Sequence, residues 1–183
     1  KSTLIKFIIA ALGVNNDQVA YVAYTGKAAT VLAEKGCPNA TTAHKLLYYS
    51  KQMPDGKFIH RARPSYEIKY DVIVVDEVSM LPKSLWDLLI SHNAYVIACG
   101  DPFQLPPVDK TDAHNLLDNP HVFLDEIMRQ AQESEIIQMS MLVREGKPLP
   151  LFKGKEVQVI SKDELKTGMY SWADQILCAT NKT

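Results

Sequence analysis

Apolar and polar positions along this chain follow two different periods, and the switches between them mark out its elements. Leu4 to Leu12 is apolar at helical spacing and stops at Gly13, so residues 3–12 read as a helix. Gln18 to Tyr24 alternates and is β-branched, which predicts a strand, and Lys27 to Lys35 returns to helical spacing before Gly36. Thr41 and Thr42 are placed to cap a short helix ending at Leu47. Met53-Pro54-Asp55-Gly56 is a turn sequence, so its flanks, Leu47 to Gln52 and Lys57 to Arg63, predict a hairpin. Asp71 to Val75 and Ala94 to Cys99 are short apolar runs of the kind that form buried parallel strands. Between them Pro82 opens a helix through Ile90, with Leu81, Leu85, Leu88 and Leu89 on its apolar side.

The last third continues the alternation. Ser134 to Arg144 is helical by period and is stopped by Gly146 and Pro148. Val157 to Ile160 predicts a short strand, Ser161 and Glu164 form a capping-box pattern opening a helix through Trp172, and Ile176 to Ala179 predicts a final strand. Strands alternating with helices argue for an α/β fold with a parallel sheet. Pro148, Pro150, Gly154 and the nearby lysines read as a linker, so the expected division is a first domain over 1–149 and a second segment over 150–183.

Composition changes this picture little. The 183 residues are 46% hydrophobic, enough for a packed core, and the formal net charge of -1 announces no polyanion-binding protein. Cys37, Cys99 and Cys178 are scattered and offer neither a disulfide frame nor a zinc site. With no leader-like opening and no apolar stretch of spanning length, a cytoplasmic location is expected.

The candidate chemistry sits where strands end. Ligands of open α/β sheets bind just past the carboxyl ends of the strands. There the chain has Asp76-Glu77 after one apolar run and Gly100-Asp101-Pro102-Phe103-Gln104-Leu105-Pro106-Pro107 after another. A carboxylate pair can hold Mg²⁺ and activate water, and an amide such as Gln104 can orient that water. A solvated strand end and a proline-rich surface turn are the plain alternatives. Lys1-Ser2-Thr3 stands at a helix start, as the last residues of a phosphate loop would: Lys on phosphates, hydroxyl on the metal, helix N–H groups on the anion.

Together with Ala23-Tyr24-Thr25-Gly26-Lys27-Ala28-Ala29, Thr42-Ala43-His44, Val75-Asp76-Glu77-Val78-Ser79-Met80, Leu124-Asp125-Glu126-Ile127-Met128-Arg129-Gln130 and Thr180-Asn181, these residues resemble the first RecA-like motor domain of a superfamily 1B DNA helicase of the RecD/TraI/Dda-like group. The resemblance implies a RecA-like P-loop NTPase fold using ATP and Mg²⁺ and moving 5′→3′ on single-stranded DNA toward a duplex fork. It implies Lys1, Ser2, Thr3, Asp76, Gln104 and Arg129 at the nucleotide, Ser2 and Asp76 at the metal, and Glu77, Gln104 and Arg129 in catalysis. It also implies DNA contacts from Thr25, Gly26, Lys27, Thr42 and His44, and a pin-like insertion at about 48–68 presenting Phe58, with replication or recombination proteins as partners. An ion pair of Arg129 with Asp125 or Glu126, a packed or capping His44, and a hairpin whose rings simply pack on the lobe stay open. So do an RNA helicase, another P-loop ATPase and an inactive nucleic-acid-binding module. The glycine-rich loop and the later motifs of the family do not occur in these residues, so the 183 residues alone are expected to be nearly inert as a motor.

Overall fold

The computed structural model describes residues 2–114, 116–124 and 134–177. The chain folds as two compact units, one ending at Val122 and the other beginning at Phe123.

The first unit is built on four parallel strands: β1 (Val19–Ala23), β2 (Ala40–Thr42), β5 (Val72–Val75) and β6 (Tyr95–Ala98). They lie in the order β2-β1-β5-β6. All of β1 and β5 is buried, because helices cover both faces of the sheet and every position of a central strand must then be apolar. On one face, Ile5 and Ile9 of α1 (Ser2–Leu12) and Ala29 and Leu32 of α2 (Gly26–Glu34) pack on Val19, Tyr21, Ala23, Val72 and Val74. On the other, Ala43, Leu46 and Leu47 of α3 (Ala43–Leu47) and Leu85 and Leu89 of α4 (Lys83–Ile90) pack on Ala20, Val22, Ile73 and Val75. Each fully buried Leu, Ile or Val contributes roughly 1.5–3 kcal/mol of transfer free energy, so these two layers hold the unit together.

The hairpin predicted around Met53–Gly56 is present, with β3 (Tyr48–Gln52) antiparallel to β4 (Phe58–Ala62) and Gly56 at φ 81°. It forms a separate two-stranded sheet.

Two expectations change. The run from Ala94 to Cys99 forms a strand, but not a buried one: β6 has β5 as its one described neighbour, and Tyr95 is 81% exposed. Apolar composition reports strand tendency, whereas burial is set by how many neighbours a strand acquires. At the other edge β2 is a strand the periodicity did not show, since three residues are too few to display a period.

In the second unit, α5 (Glu135–Arg144) is followed by the short antiparallel pair β7 (Phe152–Lys153) and β8 (Gln158–Val159). Glu135 accepts the N–H of Glu156 at 2.8 Å, while Glu156 accepts from Ser134 Oγ and the Glu135 N–H, both at 2.9 Å. These reciprocal bonds stitch the start of α5 to the turn beyond the proline-rich stretch. The capping box of Ser161 and Glu164 exists but closes a single 3₁₀ turn, Lys162–Glu164. Lys166 is extended and α6 (Thr167–Trp172) starts afresh, so the one continuous helix expected here is two pieces. Ile176 and Leu177 are not in a strand, and Cys178 and Ala179 lie outside the described residues. Among the described residues no helix is long and apolar enough to cross a membrane.

Candidate functional site

Parallel register brings the strand ends into one line. Ala23 lies beside Thr42, and Val22, Val75 and Ala98 form one row across β1, β5 and β6. One residue further on, the Asp76 N–H donates to the Val22 carbonyl and the Cys99 N–H to the Val75 carbonyl, both at 2.8 Å. Tyr24-Thr25, Thr42-Ala43, Asp76-Glu77 and Cys99-Gly100 therefore leave the sheet at the same edge. Helix α1 joins the opposite edge: it ends at Leu12, turns at Gly13 (φ 66°), and leads through a 3₁₀ turn at Asn16–Gln18 into Val19. Ser2 and Thr3 are its first residues, at the end away from the turn into β1. Lys1 and Arg129 lie outside the described residues.

Past Val75 the backbone makes an abrupt turn. Glu77 sits in the left-handed region at φ 54° and ψ 46°, a conformation that costs a non-glycine residue about 1–3 kcal/mol. Asp76 Oδ1 accepts the Glu77 N–H at 3.0 Å, which fixes one carboxylate oxygen. Glu77 Oε2 and Ser79 Oγ are both buried without a hydrogen-bond partner among the described residues. A buried, unsatisfied carboxylate oxygen carries a desolvation cost of about 1–3 kcal/mol or more, which a ligand or water at that edge would relieve. The following 3₁₀ turn, Val78–Met80, is held by a bond from the Val78 N–H to the Cys99 carbonyl at 3.0 Å.

Gly100 opens the loop beyond β6. A Cβ there would lie 2.9 Å from Leu117 Cδ1 and 3.0 Å from Val78 Cγ1, so a side chain at the loop root would have to push Leu117 and Val78 aside. Asp101 then folds the chain back on itself: its Oδ1 accepts the Phe103 N–H at 3.0 Å and its carbonyl the Gln104 N–H at 3.0 Å. Pro107 is buried, anchoring the far end, while the Gln104 side chain is exposed at the same sheet edge as Asp76 and Glu77.

Next to this edge lie the residues assigned to strand contact. Thr25 caps α2, its Oγ1 accepting from the Ala28 N–H at 3.2 Å, and Thr42 caps α3 through the Lys45 N–H at 3.2 Å. Gly26 and Lys27 form the exposed first turn of α2. A threonine oxygen that accepts from a helix N–H keeps its own O–H as a donor, so capping and phosphate contact are compatible. His44 is ringed by Tyr24 (centroids 6.0 Å apart), Tyr48 (6.1 Å) and His60 (6.4 Å). Burial, then the neighbouring His60, hold its imidazole below the usual histidine range. Phe58 stands on β4, 57% exposed and 6.4 Å from the His60 ring. Tyr24 and Ser79 were not singled out from the sequence, because ring neighbours and an orphaned hydroxyl are visible only once distant segments meet.

Among the described residues no three His, Cys, Asp or Glu side chains surround a common point. Of the cysteines, Cys37 is buried and Cys99 half-buried, neither in a disulfide among the described residues, and Cys178 lies outside them. Burial pushes the Cys37 thiol up.

Comparison with known proteins agrees with this geometry. The ATP-dependent RecD2 DNA helicase of Deinococcus radiodurans is 37% identical over 126 residues, 66% of this chain and 17% of the relative. An uncharacterized protein of Acanthamoeba polyphaga mimivirus is 33% identical over 103 residues, 48% of this chain and 21% of its own length. The chain thus spans about a fifth of the curated relatives it matches. The crystal structure of a Pif1 helicase from Candida albicans shares the fold at a TM-score of 0.53 and 22% identity, over 79% of this chain and 38% of that one. A family model described as AAA domain matches residues 1–162, and the chain belongs to that family.

Proposed function

We propose that this chain is the ATP-binding motor lobe of a superfamily 1B DNA helicase, coupling ATP hydrolysis to 5′→3′ movement on single-stranded DNA and to duplex unwinding. The observation that carries the proposal is the strained turn after β5. There, among the described residues, one Asp76 oxygen accepts the Glu77 N–H and Glu77 Oε2 is buried without a hydrogen-bond partner. The likeness to a relative named an ATP-dependent DNA helicase supports the same reading.

In this reading Lys1 holds the β- and γ-phosphates, and the α1 N-terminus, with Ser2 and Thr3, supplies N–H donors to them. Ser2 and Asp76 would hold Mg²⁺, which commonly uses only one or two protein ligands. When bound, that ion would neutralise charge developing on the transferred phosphate. Glu77 accepts the proton of the attacking water, Gln104 orients that water, and Arg129 faces the γ-phosphate, a role worth about 10³–10⁵ in rate elsewhere. Thr25, Gly26, Lys27, Thr42 and His44 grip the strand, and the hairpin at 48–68 meets the fork with Phe58. Residues 150–183 lead toward a second lobe, and the pathway served is replication or recombination.

The test is ATP hydrolysis, read by phosphate release with and without single-stranded DNA. It is made on a chain in which residues 1–183 follow a glycine-rich phosphate loop and precede a second lobe. DNA-stimulated hydrolysis is expected there, with Glu77→Gln lowering it by about 10²–10⁴ while nucleotide binding persists. Residues 1–183 alone are expected to be nearly inert. Hydrolysis unaffected by Glu77→Gln refutes the assignment, and stimulation by RNA but not DNA replaces it with an RNA helicase.

A further inference from the structure

One long edge of the main sheet is open. Among the described strands β2 pairs with β1 alone, and in a parallel ladder every other residue of such an edge turns its N–H and C=O outward. A cleft of about 360 Å³ lies along this edge, bordered by Ala40 and Thr41 on one side and by the chain leaving the hairpin on the other. Its apolar lining is Leu46, Ile68 and Tyr70.

Both walls are fixed. The Arg63 N–H donates to the Leu47 carbonyl at 2.8 Å, which ties the hairpin exit to the end of α3. Ile68 and Tyr70 pack against the core cluster that contains Leu46 and Leu85. At the head of β2, Asn39 Nδ2 donates to the Asn16 carbonyl at 3.1 Å. The cleft is therefore ready-made, and an occupant would not have to open it.

Its charge is selective. Lys45 and Arg63 line it against a single acid, Glu67. Arg63 is steadied by the Tyr49 ring, with 4.2 Å from its guanidinium carbon to the ring centroid. Glu67 stays 3.9 Å away, beyond hydrogen-bond distance, and the Arg63 side chain is 34% exposed. The guanidinium is held in place and can still donate to an incoming carboxylate. An open strand edge pairs with another backbone of alternating N–H and C=O, which a peptide has and a nucleic acid lacks.

We propose that this cleft is a docking site for an extended acidic peptide segment of a partner protein. The peptide adds to β2 as a further strand. On its cleft-facing side an apolar side chain packs against Leu46, Ile68 and Tyr70, and a carboxylate meets Lys45 and Arg63. The proposal does not depend on the motor reading.

The experiment titrates the 183-residue chain into a short fluorescein-labelled peptide and reads anisotropy. The peptide has glutamate and valine in turn on one face, with threonine between them. Lys45→Glu and Arg63→Gln are each expected to weaken binding about tenfold, the scale of a lost hydrogen bond to a charged group. A peptide with lysine in place of glutamate should not bind, and excess oligo(dT) should leave the glutamate peptide in place. On the wild-type chain, bound peptide should slow hydrogen exchange at Ala40 to Thr42, a readout that needs no variant to fold. The proposal is overturned if the glutamate peptide does not bind at about 1 mM, if the lysine peptide binds as well, or if exchange in β2 is unchanged. Binding that ignores both substitutions would also sink it, and displacement by oligo(dT) would assign the cleft to nucleic acid instead.

Discussion

The backbone N–H of Val78 donates to the carbonyl of Cys99 at 3.0 Å, tying the turn that carries Asp76 and Glu77 to the root of the loop that carries Gln104. Two segments more than twenty residues apart in sequence are thereby held as one unit. A substitution that pries the two apart should disturb both.

Gly100 is the place to pry. Its missing Cβ would lie 3.0 Å from Val78 Cγ1, and Val78 is fully buried and cannot retreat. Gly100→Ala is expected to lower unfolding free energy by about 1–3 kcal/mol in urea titrations, the range for overpacking. An unchanged urea midpoint would mean that the Leu117 and Val78 side chains give way at no cost.

Glu77 should show opposed effects on stability and activity. Glycine adopts φ 54° without the penalty of a Cβ, and Glu77→Gly also removes a buried unpaired oxygen. The variant is expected to be more stable by about 1 kcal/mol while losing the hydrolysis assigned to the carboxylate. Differential denaturation and phosphate release on the same preparations check both halves, and a destabilised Glu77→Gly would show that the turn needs the side chain.

The two capping threonines should separate folding from binding. Thr25→Ala and Thr42→Ala each lose a side-chain bond to a helix N–H and should cost about 0.5–2 kcal/mol. Thr25→Asp keeps an acceptor for the Ala28 N–H but has no hydroxyl donor and adds negative charge. It should restore stability and still bind single-stranded DNA more weakly than wild type. Restoration of both would confine Thr25 to capping.

His92 predicts a pH dependence. It is 5% exposed, its Nδ1 lies 3.1 Å from Ser65 Oγ just beyond the hairpin, and its Nε2 is buried without a partner among the described residues. Burial holds its imidazole below the usual range, so the folded protein keeps the ring neutral. As pH falls through about 6.5 the unfolded chain takes up the proton first, and stability declines until the folded-state value is reached. His44 is shifted in the same direction, so the readout is the difference between wild type and His92→Gln. That difference should shrink in urea titrations from about pH 7.5 to about pH 5.5, whereas a constant gap would show that His92 does not titrate differently on folding.

Much of the fold was legible because its signals are local. β1, β5, α2 and α4 announce themselves by period and stop residues, and the hairpin by Met53-Pro54-Asp55-Gly56, since each depends on neighbours only a few residues away. The candidate nucleotide residues were legible for a related reason: a short apolar run followed by acids, or by Gly-Asp-Pro, marks a strand end. The same local signals misled where outcome depends on partners. The Ala94–Cys99 run reads like a core strand, yet its exposure was settled by its place at the sheet edge. The helix after Ser161 is two pieces: its capping box is formed, with Glu164 accepting the Ser161 N–H at 3.1 Å, yet the backbone is extended at Lys166, a break that no local signal announced.

By itself, then, the order of residues determined which segments are strands and helices and which polar groups stand at their ends, because backbone sterics and side-chain period act over a few residues. Only the tertiary structure decided that Glu77 would be strained with an orphaned oxygen, that a methyl group at Gly100 would meet Leu117 and Val78, and that β2, Lys45 and Arg63 would border one cleft. Those properties come from parallel register and from packing between distant segments, and no period along the chain encodes a distance across the sheet.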